Sequence, residues 1–162
     1  MVKVAVGIIR QNGKVLVCQR KQAARYGLKW EFPGGKLDEV ESAAEGLKRE
    51  LREELGVEAE VGELYHRQEY TYPDRSSFEV LYYSIPSYRG LIQNLAFETI
   101  RWIPERDLVN TDMLEGNQEV VKKIIQETTT PISPPYSAFW NPVKKRNPRQ
   151  RDQGGDKRGG RA

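Results

Sequence analysis

The sequence predicts an α/β (α+β) domain, a mixed sheet with helices on both of its faces. Three observations predict it. Runs of β-branched and aromatic residues lie on both sides of residue 42. A capped amphipathic helix separates them. A second amphipathic segment follows the last strand signal and ends near residue 126.

Each element has a local cause. Residues 4–9 are an apolar run, read as a strand. Asn12-Gly13 is a favoured two-residue hairpin turn, so residues 14–20 return as the next strand. A loop leads to Trp30, and Glu31-Phe32 is extended ahead of Pro33. Gly34-Gly35 is a backbone turn. Ser42 and Glu45 form a capping box that opens a helix through Leu55, and Gly56 stops it. Residues 57–72 read as one long or broken strand, residues 73–76 as a turn and residues 77–85 as the returning strand. A short strand at 100–103 and a short helix at 105–109 follow. The last helix spans 115–126, with Val120, Val121, Ile124 and Ile125 on one side.

The chain has 162 residues, enough for one domain with a hydrophobic core of its own. Residues 1–127 are assigned to it. No run of about 18 apolar residues could span a bilayer, and residues 4–9 are too short for the apolar part of a signal peptide. A cytoplasmic protein without membrane contact is expected. One cysteine, Cys18, and one histidine, His66, exclude an internal disulfide framework and a Cys/His metal cluster. Any metal must be held by oxygen, which points to magnesium, manganese or calcium. Residues 128–162 carry eight basic residues against two acids, so this segment is net +6 and the rest of the chain net −3. Its Pro, Gly and Arg content and lack of hydrophobic period predict that it is mostly disordered. The basic tail is either a weak, sequence-independent arm for nucleic acid or a solubilising extension.

The helix at 42–55 has an unusual acidic edge. With about 100° per residue and Leu47 at zero, Ala43, Ala44, Leu51 and Leu55 fall between about −40° and +80°. On the same wheel Glu54 lies near −20°, inside this apolar stripe, with Glu50 near −60° and Glu53 near −120°. Glu50 and Glu54 are a like-charged i,i+4 pair, which costs roughly 0.2–0.5 kcal/mol even in water. Burying either one unpaired costs more. A divalent cation beside the helix resolves the conflict, and carboxylates at i, i+3 and i+4 are expected to converge on it. Gly46, one turn before Glu50, either leaves room there or permits close helix packing.

These residues complete a longer pattern. Gly35, Glu41 and the run Arg49-Glu50-Leu51-Arg52-Glu53-Glu54-Leu55-Gly56-Val57 fit GX5EX7REUXEEXGU at every specified position over 23 residues. The chain thus resembles the Nudix hydrolases. AVGIIR, WEFPGGK, YPDR and the asparagine of NQEVVKKI resemble the MutT-type branch, the nucleoside triphosphate pyrophosphohydrolases that sanitise nucleotide pools. The resemblance covers residues 1–126 and implies a Nudix α/β/α sandwich.

It also implies an activity: Mg2+- or Mn2+-dependent hydrolysis of a nucleoside triphosphate to the monophosphate and pyrophosphate. The preferred substrate would be an oxidised purine such as 8-oxo-dGTP. Hydrolysis of CTP, dCTP, dinucleoside polyphosphates or RNA 5′ ends stays open, as does a nucleotide- or nucleic-acid-binding module without turnover. By resemblance Glu50, Glu53 and Glu54 are the catalytic and metal-ligating set, joined by the Gly35 carbonyl, with the general base among them unassigned. Glu98 is a further metal-ligand or base candidate, although the position beside Trp102 where MutT has its acid is Arg101 here. Lys36 and Arg20 are expected at the phosphates; the alternative for Arg20 is a surface charge at a strand end. Asn117 would read the purine edge, or else only start the helix. Glu41 and Arg49 are expected to orient the catalytic helix. His66 is read as a strand residue, Cys18 as a small buried one. Of Tyr82 and Tyr83, on opposite strand faces, one is expected at the base pocket and the other in the core.

Overall fold

The structure is a computed structural model and describes residues 1–129. The expectations for the tail fall outside these residues from position 130 onward. The elements are β1 (Val2–Ile8), β2 (Arg10–Gln11), β3 (Lys14–Gln19), β4 (Trp30–Glu31), β5 (Gly34–Lys36), α1 (Ala43–Leu55), β6 (Glu58–Glu60), β7 (Leu64–Thr71), β8 (Ser77–Ser84), β9 (Ser87–Arg89), β10 (Thr99–Pro104) and α2 (Gln118–Thr129). Two 3-10 segments, Glu105–Asn110 and Glu115–Asn117, precede α2.

The turn chemistry acts where the sequence puts it. Asn12 and Gly13 both take positive φ, 55° and 77°, and carry β2 into β3. The Ser42 hydroxyl accepts from Glu45 N–H, and the Glu45 carboxylate accepts from Ser42 N–H. Gly56 closes α1 at φ 71°.

The predicted mixed sheet is divided. One four-stranded sheet has the order β5-β1-β8-β7, with β1 and β8 parallel and the other neighbours antiparallel. A second is built on β3, which pairs with β10, β2 and β4. The segment read as one strand over 57–72 breaks. The Gly62 N–H bonds back to the Ser84 carbonyl, and β6 leaves to pair with β9, a strand that the sequence did not reveal. The last helix begins later than expected, as a 3-10 turn that becomes α2 at Gln118, and it runs on through Thr129.

The helices lie on opposite faces of the strand layer, and strand alternation shows it. Ala5, Leu16 and Cys18 pack with Leu47, Leu51 and Leu55 of α1. Their neighbours Val6, Ile8, Val15 and Val17 pack with Val120, Val121 and Ile124 of α2. Tyr83 joins the α1 side and Tyr82 the α2 side. Among the described residues no helix is long and apolar enough to cross a membrane.

Leu51 is fully buried, and truncating it leaves a cavity at the α1 interface. Leu51→Ala is expected to lower stability by about 2–5 kcal/mol in denaturant unfolding. Val109→Ala, at a position 67% exposed, should shift it by less than about 0.5 kcal/mol.

Candidate active site

The acidic edge of α1 faces β5, the edge strand of its sheet. The Gly34 N–H donates to Glu54 Oε1 at 3.1 Å. At Gly35 a Cβ would stand 2.4 Å from the Glu50 carboxyl carbon, so only glycine lets that carboxylate lie on the strand backbone. Glu50 and Glu54 are therefore drawn together beside the Gly34-Gly35 backbone. Burial first, and then the neighbouring Glu50 and Glu31 carboxylates, push the Glu54 carboxyl up from an ordinary 4.5 to about 9.

Glu53 does not join them. It is exposed, and its oxygens lie 3.3 and 3.5 Å from Arg49 Nη1. Among the described residues no three carboxylate, histidine or cysteine side chains already surround one point, which corrects the expected threefold convergence. The groups that do converge are a pair of facing carboxylates beside a glycine backbone. They are oxygen donors with one proton too many at neutral pH, a set that fits a hard divalent cation.

Arg49 ties the helix to the preceding loop. Its Nε and Nη2 donate to the two Glu41 oxygens at 3.1 and 2.8 Å, Nη2 to the Lys36 carbonyl at 3.3 Å and Nη1 to Glu50 Oε2 at 3.1 Å. Arg49, then the Asp38 N–H, hold the Glu41 carboxyl down at about 2. The space at Gly46 belongs to this clasp and not to Glu50. A Cβ there would stand 2.3 Å from Leu37 Cδ2 and 2.7 Å from Glu41 Oε2.

A cavity of about 440 Å3 opens beside these groups and brings together Arg20, Gly35, Lys36, Glu54 and Asn117. Its floor follows the sheet register. Gly34 pairs with Val6 and Val6 with Tyr82; Lys36 pairs with Val4 and Val4 with Val80. The glycine–carboxylate group and Tyr82 are thus two strand spacings apart, roughly 10 Å. Asn117 is 7% exposed, and its Oδ1 lies 2.8 Å from the Tyr82 hydroxyl.

Arg20 lines the cavity but is engaged: Nη1 donates to both Glu31 oxygens at 3.1 and 3.2 Å, and Nε to the Arg25 carbonyl at 2.8 Å. Glu98 is exposed on the loop before β10 and is not among the lining residues. Its loop is tied to the end of α1 by Gln93 and Leu95 N–H groups bonded to the Leu55 and Glu54 carbonyls. His66 is a β7 residue 3.3 Å from Glu119, and Cys18 is fully buried.

The sequence reading missed Glu31 and the aromatic wall of Tyr26, Tyr70, Tyr72 and Phe78. Burial raises the Glu31 carboxyl, and Arg20 opposes the shift. Tyr72 is the centre of the wall, with ring centroids 5.1 Å from Tyr26, 4.7 Å from Tyr70 and 5.8 Å from Phe78. The period-2 series Phe78, Val80, Tyr82 on β8 was the available signal. Arg25 pairs with Asp74 and donates to Ser76 Oγ at 2.7 Å, fixing the Tyr26 loop against the β7–β8 turn.

Comparison with known proteins is consistent with this geometry. The NUDIX domain model matches residues 1–124. The chain is 30% identical over 129 residues to an 8-oxo-dGTP diphosphatase of Haemophilus influenzae, covering 79% of this chain and 94% of that protein. It is 38% identical over 110 residues to a CTP pyrophosphohydrolase of Escherichia coli, covering 67% and 80%. The solution structure of the E. coli ORF135 protein superposes with a TM-score of 0.68 at 29% identity, covering 75% of this chain and 86% of that one.

A carboxyl raised in the folded state takes up a proton on folding, so its cost to stability grows as pH rises from 4.5 toward about 9. Glu54→Gln removes that cost. Calorimetry in EDTA should show a higher Tm for the variant than for the wild type, by more at pH 8 than at pH 6. Added Mg2+ should raise the wild-type Tm, because a cation bound only by the native state stabilises it, and should raise that of Glu54→Gln less.

Proposed function

The chain belongs to the Nudix family and is a Nudix pyrophosphohydrolase; from that premise we propose that it hydrolyses a nucleoside triphosphate to the monophosphate and pyrophosphate, with an oxidised purine such as 8-oxo-dGTP preferred. The observation that carries the reading is the single cavity in which Lys36, Gly35 and Glu54 share a floor with Tyr82 and Asn117. A polyphosphate needs cations, and a base needs an apolar and aromatic wall with a few placed polar groups.

Nudix hydrolases use divalent metal ions. Here Glu50 and Glu54, with the Gly35 carbonyl, would hold Mg2+ or Mn2+, and Glu53 would join them on turning from Arg49. Such a cation, when bound, neutralises phosphate charge and lowers the pKa of a water. The residues of the chain supply the rest. Lys36 adds positive charge at the phosphates. Arg20, oriented by Glu31, presents its guanidinium to the cavity. Val4 and Val6 give an apolar floor, and the tyrosines supply flat faces for a base. Arg49 and Glu41 hold α1 in register with β5. A pyrimidine triphosphate such as CTP is the second reading, favoured by the 38% identity to the E. coli CTP pyrophosphohydrolase.

Asn117 separates the two. Leaving a buried partner unpaired costs ~1–3 kcal/mol, or roughly 5- to 150-fold. Asn117→Ala should lower the ratio of kcat/KM for 8-oxo-dGTP over dCTP by that factor. Equal losses on both substrates would deny Asn117 a role in reading the base, and a wild-type preference for dCTP would establish the pyrimidine reading.

A further inference from the structure

The turn that starts α2 is held from β7 and β8. The Gly116 carbonyl accepts from Gln68 Nε2 at 3.1 Å. A Cβ on Gly116 would stand 2.5 Å from the Tyr72 hydroxyl, so the tyrosine seats against bare backbone. The Tyr82 hydroxyl lies 2.8 Å from Asn117 Oδ1 and 3.2 Å from the Gly116 carbonyl. Tyr82 has one proton to donate. Of the two acceptors the Asn117 oxygen is the nearer by 0.4 Å, at 2.8 Å against 3.2 Å, so that oxygen receives it. An amide held by its oxygen has its N–H groups left to offer.

We infer that Tyr82 is a positioning residue whose hydroxyl orients the Asn117 amide with its nitrogen toward the ligand, so that the cavity favours a base presenting a carbonyl acceptor, as a 6-keto purine does, over one presenting an exocyclic amine. The inference rests on the nucleoside triphosphatase reading above. Tyr82 is fully buried, with its ring 5.9 Å from that of His66. Phenylalanine fills the same space, so Tyr82→Phe deletes only the hydroxyl. The Asn117 amide then loses its anchor and can turn over, presenting either end.

The experiment uses the full chain with Mg2+ and compares dITP with dATP, which share sugar, triphosphate and ring system and differ at the keto or amino edge. The wild type should prefer dITP. Tyr82→Phe should lower the dITP:dATP ratio of kcat/KM by about 5- to 10-fold, the size expected for one hydrogen bond, with the change carried by the KM for dITP. Asn117→Asp keeps an acceptor for Tyr82 but offers oxygen to the base, and should move the ratio toward dATP. A Tyr82→Phe variant with wild-type Tm and an unchanged ratio would overturn the inference, as would a wild-type preference for dATP. Should Tyr82→Phe melt early, the Asn117→Asp arm decides, and no shift toward dATP overturns it. Hydrolysis of neither dITP nor dATP by a wild type that cuts 8-oxo-dGTP or CTP would overturn this inference alone; hydrolysis of none of the four would sink the triphosphatase reading, and this inference with it.

Discussion

The site depends on one guanidinium. Arg49 bonds Glu41 and the Lys36 carbonyl on one side and Glu50 and Glu53 on the other, so it joins the loop after β5 to the acidic edge of α1. Without that clasp the loop after β5 would lose its tie to α1, and only the Gly34 N–H bond to Glu54 would be left to hold the acidic edge to the strand. With it, Glu50 and Glu54 are held against the Gly34-Gly35 backbone. Burial, and then the neighbouring carboxylates, show in the high Glu54 value, and the Arg49 clasp shows in the low Glu41 value. Two glycines make the arrangement possible by leaving out a Cβ: Gly35 under Glu50, and Gly46 beside Glu41 and Leu37.

The sheet carries that local chemistry to the base. Parallel pairing of β1 with β8, and antiparallel pairing with β5, sets Gly34, Val6 and Tyr82 in one row. Period-2 alternation then divides the labour. Ala5 lies toward α1 and the carboxylates' helix, while Val4 and Val6 line the cavity on the other face. A register slip of one residue would exchange these faces and separate the glycines from the cavity floor.

Much of the fold was legible because its signals are local. The capping box at Ser42, the Asn12-Gly13 turn and the stop at Gly56 depend on near neighbours in the chain. The acidic edge of α1 was legible for the same reason, since helical spacing fixes direction. What escaped depends on long-range partners. The division into two sheets, the β6–β9 pair, the Arg20–Glu31 pair and the bonding of Gly116 by Gln68 and Tyr82 join residues whose meeting no spacing rule foretells. The wheel also gives only Cα direction. Arg49, about 200° from Leu47 at 100° per residue, bends back over its own helix, and Glu53 follows it away from Glu50 and Glu54.

The central claim is that the chain cuts a nucleoside triphosphate between the α and β phosphates. Phosphorus NMR of the products formed from 8-oxo-dGTP with Mg2+ tests it most directly. Nucleoside monophosphate and inorganic pyrophosphate in equal amounts are predicted. Nucleoside diphosphate with orthophosphate would contradict the account.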